Sequence, residues 1–415
     1  MFTSCYKAVF TCLFCVTTAF SVFADSPRAA YEQARQEALC AWMAMASYGD
    51  RPGLAARQEL VRRGWHIDSQ VQKDDKSEAK FHLVRKGDDT LLAVTGTASL
   101  ADIKSDLNLH SVAYGGTAGK TARKDGVRRV HAGFDHYTTT LLAAPYGGQT
   151  VGQVLAADAH APKRLTLTGH SLGGAVAVLA AARLADQGAS QLQVVTFGAP
   201  AVGNDAFNEA YGRRIRLDRI VMEGDPVEKA VQAVSRTYEQ FPDKTVWQAA
   251  PTTRRFAHDI AGYADTALRR YYDAKTAYET YLGHAVPDDG GRPFGSPVWV
   301  PPLSLTLDEA LQADTPYLER AADDQLGYRL HPVFARREQS LGEALRQARQ
   351  HGCSEVLLRQ FQARRLKGKE YDFALTYDEI WYDARTGLVR TAVSRTTDTG
   401  KMTPIEALLA LAGAD

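Results

Sequence analysis

The sequence has no block of like charge, no low-complexity tract and no internal period. Charged tails, compositional linkers and solenoid architectures are therefore excluded as its organising feature. Its formal net charge is only +1, so no electrostatic footprint draws it to nucleic acid or an acidic polymer. The 11 histidines are scattered, and none stands with cysteine or carboxylate neighbours at metal-ligand spacing, so no metal centre is expected. A nucleotide cofactor is not expected either. "GGTAGKT" at 115–121 is one residue short of a phosphate loop and no apolar strand leads into it, so it reads as a loop. Cysteine is scarce: three of the five (Cys5, Cys12 and Cys15) lie in the first two dozen residues. The other two, Cys40 and Cys353, are free to pair in an oxidising compartment or to stay as buried thiols, and sequence does not choose between these.

The beginning of the chain is set apart by composition. Residues 1–24 carry one charge, Lys7, then an apolar run from Ala8 to Ala24, with Val22 and Ala24 at signal-peptidase spacing before Asp25. This predicts a secretory signal peptide and a periplasmic or secreted protein; the run is short for a membrane anchor and no stop-transfer charges follow. Removing it with Lys7 takes the formal charge from +1 to zero.

Beyond the leader, apolar periodicity predicts a helix over 26–48, paired strands Lys80–Arg85 and Thr90–Val94 turning at "KGDD", and a helix over Phe134–Ala144. Strands follow at Arg164–Gly169, Gln191–Phe197 and Arg216–Met222, with helices Leu172–Gln187 and Tyr263–Leu282 ended by Gly188 and Gly283. Strands alternating with helices predict a mostly parallel α/β sheet. Residues 283–302 are dense in proline and glycine. We therefore expect an α/β domain over 25–290, a linker over 291–302 and a small α+β accessory domain over 303–415. In the last of these the pattern predicts a helix Leu341–His351, a strand Ser354–Gln362, a hairpin across "DARTG" and a final helix Pro404–Ala412.

The chemistry concentrates in "LTLTGHSLGGAVAVLAA", residues 165–181. Gly169, Ser171 and Gly173 satisfy G-x-S-x-G between a strand and a small-residue helix, the nucleophile elbow in which a sharp turn exposes a serine. The helix start aims its N–H groups at the anion that would form there. A serine hydroxyl is a poor nucleophile until a histidine takes its proton and an acid holds that histidine. On this architecture the order is serine, acid, histidine. Asp225, in "RIVMEGDPV", ends a strand and is aimed by the turn at Pro226, with Glu223 as a weaker substitute. His258, just before the Tyr263–Leu282 helix, is favoured as base over His284, which follows the glycine at its far end. His170 neighbours the nucleophile and is expected to shape the pocket floor. The oxyanion would be held by the Leu172 N–H and by Thr97, which stands at the end of the strand in "VTGTASLADIKSDL".

Taken together, these segments resemble the class 3, fungal-lipase-like branch of the α/β-hydrolases. The oxyanion segment at 94–107, "VHAGFDHY" at 130–137, the elbow, "TFGAPAVGN" at 196–204 and "RIVMEGDPV" are each similar to a block of that family, over about residues 27–285. The resemblance implies a Ser171–Asp225–His258 triad, an oxyanion hole at Thr97 and Leu172, no cofactor, and a lipid or small ester as substrate. Two features depart from the family. Thr95 stands where it usually has arginine, and the loop "HSVAYGGTAGKTARKDGVRR" is polar and basic where triglyceride lipases tend to carry an amphipathic lid. The basic loop points to water-soluble esters or anionic phospholipids, with peripheral contact to membrane lipid, over neutral oil. The expectation is an exported serine carboxylester hydrolase. The same triad would serve a phospholipase A or an acyltransferase, and the rival from another class is a cell-envelope binding protein on a hydrolase scaffold.

Overall fold

The computed structural model describes residues 26–75, 78–96, 110–115, 126–160, 164–190, 192–229, 235–286 and 295–414. The leader, Thr97 and most of the "GGTAGKT" stretch lie outside the described residues.

The first structural unit is built on a seven-stranded sheet. In chain order its strands are β1 (His66–Lys73), β2 (Glu78–Lys86), β3 (Asp89–Val94), β8 (Arg164–His170), β9 (Leu192–Phe197), β10 (Arg216–Met222) and β11 (Thr245–Trp247), and they lie side by side in that order. Between β3 and β8 the chain makes two short ribbons, β4 (Ser111–Ala113) with β5 (Arg129–His131), and β6 (Pro145–Tyr146) with β7 (Gln149–Thr150). The sheet opens antiparallel, because β2 turns into β3 within two residues at Gly87 (φ 57°). It then runs parallel from β3 to β11, because helical crossovers separate the later strands. β8 is buried from Leu165 to His170, as a central parallel strand covered on both faces must be.

Helices close both faces. Ala132–Ala143, Val151–His160 and Leu172–Asp186 pack on one side with Phe81, Leu92, Leu167 and Val194. The elbow helix Leu172–Asp186 is apolar on every side, which fits a helix buried between neighbours rather than lying on the surface. Pro27–Ala46 and Ile260–Leu282 pack on the other face with Val195, Phe197, Ile220 and Met222. Gly283 ends the second of these in the left-handed conformation (φ 73°), the stop that its sequence foreshadows.

A second, mixed sheet has the order β14-β12-β15-β16-β17, with β13 also pairing β15. Its strands are β12 (Val298–Val300), β13 (Ser304–Leu307), β14 (Pro332–Phe334), β15 (Glu355–Arg365), β16 (Phe373–Asp383) and β17 (Val389–Asp398). The helix Thr315–Arg329 and the capped helix Pro404–Ala412 bury Leu318, Ala321, Ile405 and Leu408 in the same core as Ile260, Ala264 and Leu268 of the helix Ile260–Leu282. Cys40 and Cys353 are both free and buried, which answers the disulfide question: they do not pair. Among the described residues, no helix is long and apolar enough to cross a membrane.

Candidate active site

Ser171 follows directly on β8 and precedes the elbow helix, and it is fully buried. Among the described residues it is the one non-glycine with positive φ, at φ 56° and ψ −129°. Such a conformation costs about 1–3 kcal/mol and persists only where the surroundings impose it. They do so here. The Ser171 N–H donates to the Phe197 carbonyl at 2.9 Å, and the Ser171 carbonyl accepts from Gly174 N–H at 3.0 Å. Gly169 and Gly173 face each other backbone to backbone, and Gly173 lies against the Val94 carbonyl. A Cβ on either glycine would overlap its neighbour. The glycines thus permit the close crossing of β3, β8 and the helix that forces the serine into its turn.

The three residues expected to act together do meet. His258 Nε2 lies 3.1 Å from Ser171 Oγ, and His258 Nδ1 lies 2.9 Å from each oxygen of Asp225. A carboxylate can only accept, so Nδ1 carries the proton and Nε2 is left with the lone pair that faces the serine hydroxyl. The Asp225 side chain is fully buried and is held from three directions. The Val227 N–H donates to Oδ1 at 2.8 Å and Tyr263 Oη donates to Oδ2 at 2.6 Å, while His258 bridges both oxygens. Tyr263 in turn accepts from Met222 N–H at 2.8 Å, fixing the end of β10. Burial first, and the neighbouring Asp225 second, push the Tyr263 phenol well above its ordinary pKa, so it remains a donor. Gly198, at φ 57°, leaves room for this group. A Cβ there would stand 2.5 Å from Asp225 Oδ2 and 3.2 Å from His258 Nδ1.

His170 is bonded at both ring nitrogens. Its Nε2–H donates to the His258 carbonyl at 2.7 Å, and its Nδ1 accepts from Tyr48 Oη at 2.8 Å. Tyr48 also accepts from the Gly96 N–H, at the end of β3. Burial, reinforced by the adjacent His258, holds the His170 pKa well below the usual range. A neutral His170 therefore backs the base without adding a second positive charge beside it.

The competing assignments separate cleanly. His284 is exposed and bonds the carbonyl of Ala285, remote from the triad. Glu223 is exposed, and its backbone N–H bonds Trp247. Leu172 occupies the first position of the elbow helix, with its N–H beside the nucleophile. Thr97, expected as the other oxyanion donor, lies outside the described residues. Thr95, where the family usually has arginine, is anchored by its hydroxyl to the Ser47 carbonyl at 3.1 Å. His131 of the "VHAGF" block caps the following helix and stacks on Phe134 at 4.1 Å, a structural part. Tyr48 and Tyr263 were not signalled by the sequence: a lone tyrosine in an amphipathic helix reads as core. A cavity of about 530 Å³ lined by Tyr31, Trp42, Leu60, Trp65 and Tyr271 also exists. It reaches Asp89 and Arg164 at the starts of β3 and β8, the opposite ends of the strands from Ser171. Parallel sheets of this kind bind ligands at the carboxyl ends of their strands, where the triad stands.

Residues 91–234 match the family model for Lipase (class 3). A lipase of Caenorhabditis elegans, ZK262.3, is 49% identical over 65 residues, which cover 15% of this chain and 18% of that protein. The chloroplastic phospholipase A(1) DAD1 of Arabidopsis thaliana is 33% identical over 95 residues, 22% of this chain and 21% of the relative. The chain thus spans about a fifth of the length of each of these relatives. Among solved structures, the triacylglyceride lipase of Rhizomucor miehei is 20% identical with a TM-score of 0.43, covering 52% of this chain and 80% of that one. The elbow, the acid turn and the parallel strands between them all fall within the segment, residues 91–234, that is similar to the class 3 lipases.

Proposed function

We propose that the chain is an exported serine carboxylester hydrolase that cleaves lipid esters through an acyl-enzyme. The observation that carries this reading is the continuous line from Ser171 Oγ through His258 to Asp225, with distances of 3.1 and 2.9 Å. Ser171 Oγ attacks the ester carbonyl while His258 Nε2 takes its proton, and the carbonyl π electrons move to oxygen. That oxyanion is stabilised by the Leu172 N–H at the helix start, with Thr97 as second donor. The tetrahedral centre collapses, the C–O bond to the alcohol breaks, and His258 returns the proton to the leaving oxygen. Water then attacks the acyl-enzyme with His258 as base, releasing the acid and restoring Ser171. Asp225 keeps the imidazole in its productive tautomer and stabilises the imidazolium.

Within this class the reading favours phospholipid or other polar esters over emulsified oil. Two relatives are named as phospholipase A1 proteins. The sequence 110–129 carries Lys120, Arg123, Lys124, Arg128 and Arg129 against one acid, Asp125, a composition that suits peripheral contact with an anionic lipid surface. Residues 1–24 act as the export signal in this reading, and intact-mass analysis of protein recovered after secretion should give an N-terminus at Asp25. The decisive experiment compares hydrolysis of p-nitrophenyl esters of graded chain length, anionic phospholipid vesicles and emulsified triglyceride by wild type and Ser171→Ala, with fluorophosphonate labelling alongside. Wild type should label and turn over, and the variant should do neither. Absence of labelling in wild type would overturn the hydrolase reading in favour of a binding protein. Preference for emulsified triglyceride with interfacial activation would overturn the substrate reading alone.

A further inference from the structure

The base, His258, sits on a three-residue turn between two helical arms. A 3-10 helix, Pro251–Phe256, precedes it and Ile260–Leu282 follows it. The two arms touch each other directly, and one side chain of the second unit bonds to both. Asp314, whose side chain is 4% exposed, accepts from Thr252 Oγ1 of the first arm at 3.2 Å and from Arg269 Nη1 of the second at 2.7 Å. The same Arg269 grips Asp265 at 2.6 Å, one turn earlier on its own helix. Asp265 also accepts from the side chain of Thr403, the residue that caps the last helix. Asp314 itself is fixed at the junction between a 3-10 helix, Glu309–Asp314, and the helix Thr315–Arg329 that packs through Leu318 and Ala321.

We infer that Asp314 is a positioning residue for the hydrolytic reaction, and that the unit carrying it is a clamp on the catalytic histidine. This rests on the hydrolase reading above and assigns a role to the segment 303–415 that its sequence leaves blank. The physical argument is one of leverage. His258 must keep its Nε2 on Ser171 and its Nδ1 on Asp225 at once, and its only other polar anchor among the described contacts is the carbonyl held by His170. Spreading of the two arms rotates the turn between them and lengthens one of those bonds. A buried carboxylate shared by one group from each arm resists this, and the charge on Arg269 makes the bond on the second arm a strong one.

The test uses the full chain. Asp314→Ala should lower kcat by about 10- to 100-fold with little change in KM, the signature of a displaced catalytic group rather than a lost substrate contact. The low-field proton NMR signal of His258 Nδ1–H should broaden or vanish, and Asp314→Asn, which keeps one acceptor, should recover part of both. Glu279→Gln is the control. It weakens the Arg320–Glu279 pair at 2.9 Å, which joins the same helix to the second unit far from the turn, and it should leave kcat and the NMR signal intact. If Asp314→Ala does not fold, Thr252→Val removes the bond to the first arm alone and should show the same pattern in weaker form. Unchanged kcat and NMR signal in whichever of these folds overturns the inference, as does an equal loss of kcat in Glu279→Gln. Because the NMR signal reports the His258–Asp225 bond without substrate, the clamp is judged even if wild type proves inert and the hydrolase reading fails.

Discussion

Gly198→Ala tests the packing of the triad acid more sharply than removal of the acid itself. The new Cβ would stand 2.5 Å from Asp225 Oδ2, 3.0 Å from Tyr263 Oη and 3.2 Å from His258 Nδ1. To reach ordinary contact the carboxylate must retreat by about 1 Å, and a displacement of that size costs on the order of 10²-fold in rate. That is about 2.7 kcal/mol of transition-state stabilisation. The backbone adds a separate cost, because at φ 57° an alanine is disfavoured by about 1–2 kcal/mol relative to glycine. The two effects are measured apart. Urea denaturation gives the stability loss, and steady-state kinetics on a soluble ester, at a temperature where both proteins are folded, gives the change in kcat/KM. A variant that loses stability but keeps kcat/KM within about two-fold of wild type would refute the claim that Gly198 is needed for the triad's geometry.

Three further outcomes are expected. Asp225→Asn preserves the shape but presents the wrong partner to Nδ1, and kcat should fall by about 10⁴-fold in an ester assay. Tyr263→Phe removes the 2.6 Å bond to Asp225 and strands the Met222 N–H, which should cost about 2–4 kcal/mol in urea denaturation and lower kcat with KM little changed. Stability should also depend on two buried histidines outside the site. Burial lowers both His82 and His131 to about 4. Their unfolded forms take up protons near pH 6.5, so folding stability should be full above that pH and fall as pH drops towards 4, by up to about 1.4 kcal/mol per pH unit for each histidine. Urea titrations across this range should show the slope, and His131→Gln should reduce it.

The parts of the protein legible in its sequence are those set by local rules. The elbow could be read because only glycines at 169 and 173 let β3, β8 and the helix pass so closely, and the strands could be read because buried parallel strands are apolar runs. The base could be ranked because His258 precedes a helix whose glycine stop is plain, which put His284 at the wrong end. What stayed hidden depends on contacts between distant segments. The helix Arg51–Arg62 and strand β1 were missed because Gly53 and a polar, half-exposed strand give no clear period. Val151–His160 was missed because Gly152 and Asp158 interrupt the apolar period of its buried face, and β11 because it is a three-residue edge strand. Tyr48, Tyr263 and Asp314 could not be found at all: each is a common residue in a common setting, and its meaning comes from a partner 122, 38 or 45 positions away.

The strained turn at Ser171 has a consequence for how this protein can be improved or worn down. On the proposed function, folding and catalysis make opposite demands on that one position. A glycine there would relieve the left-handed backbone and should yield a more robust but inert protein. Any search that selects for heat resistance alone will therefore tend to discard the nucleophile, so selection for durability has to be coupled to turnover from the first round.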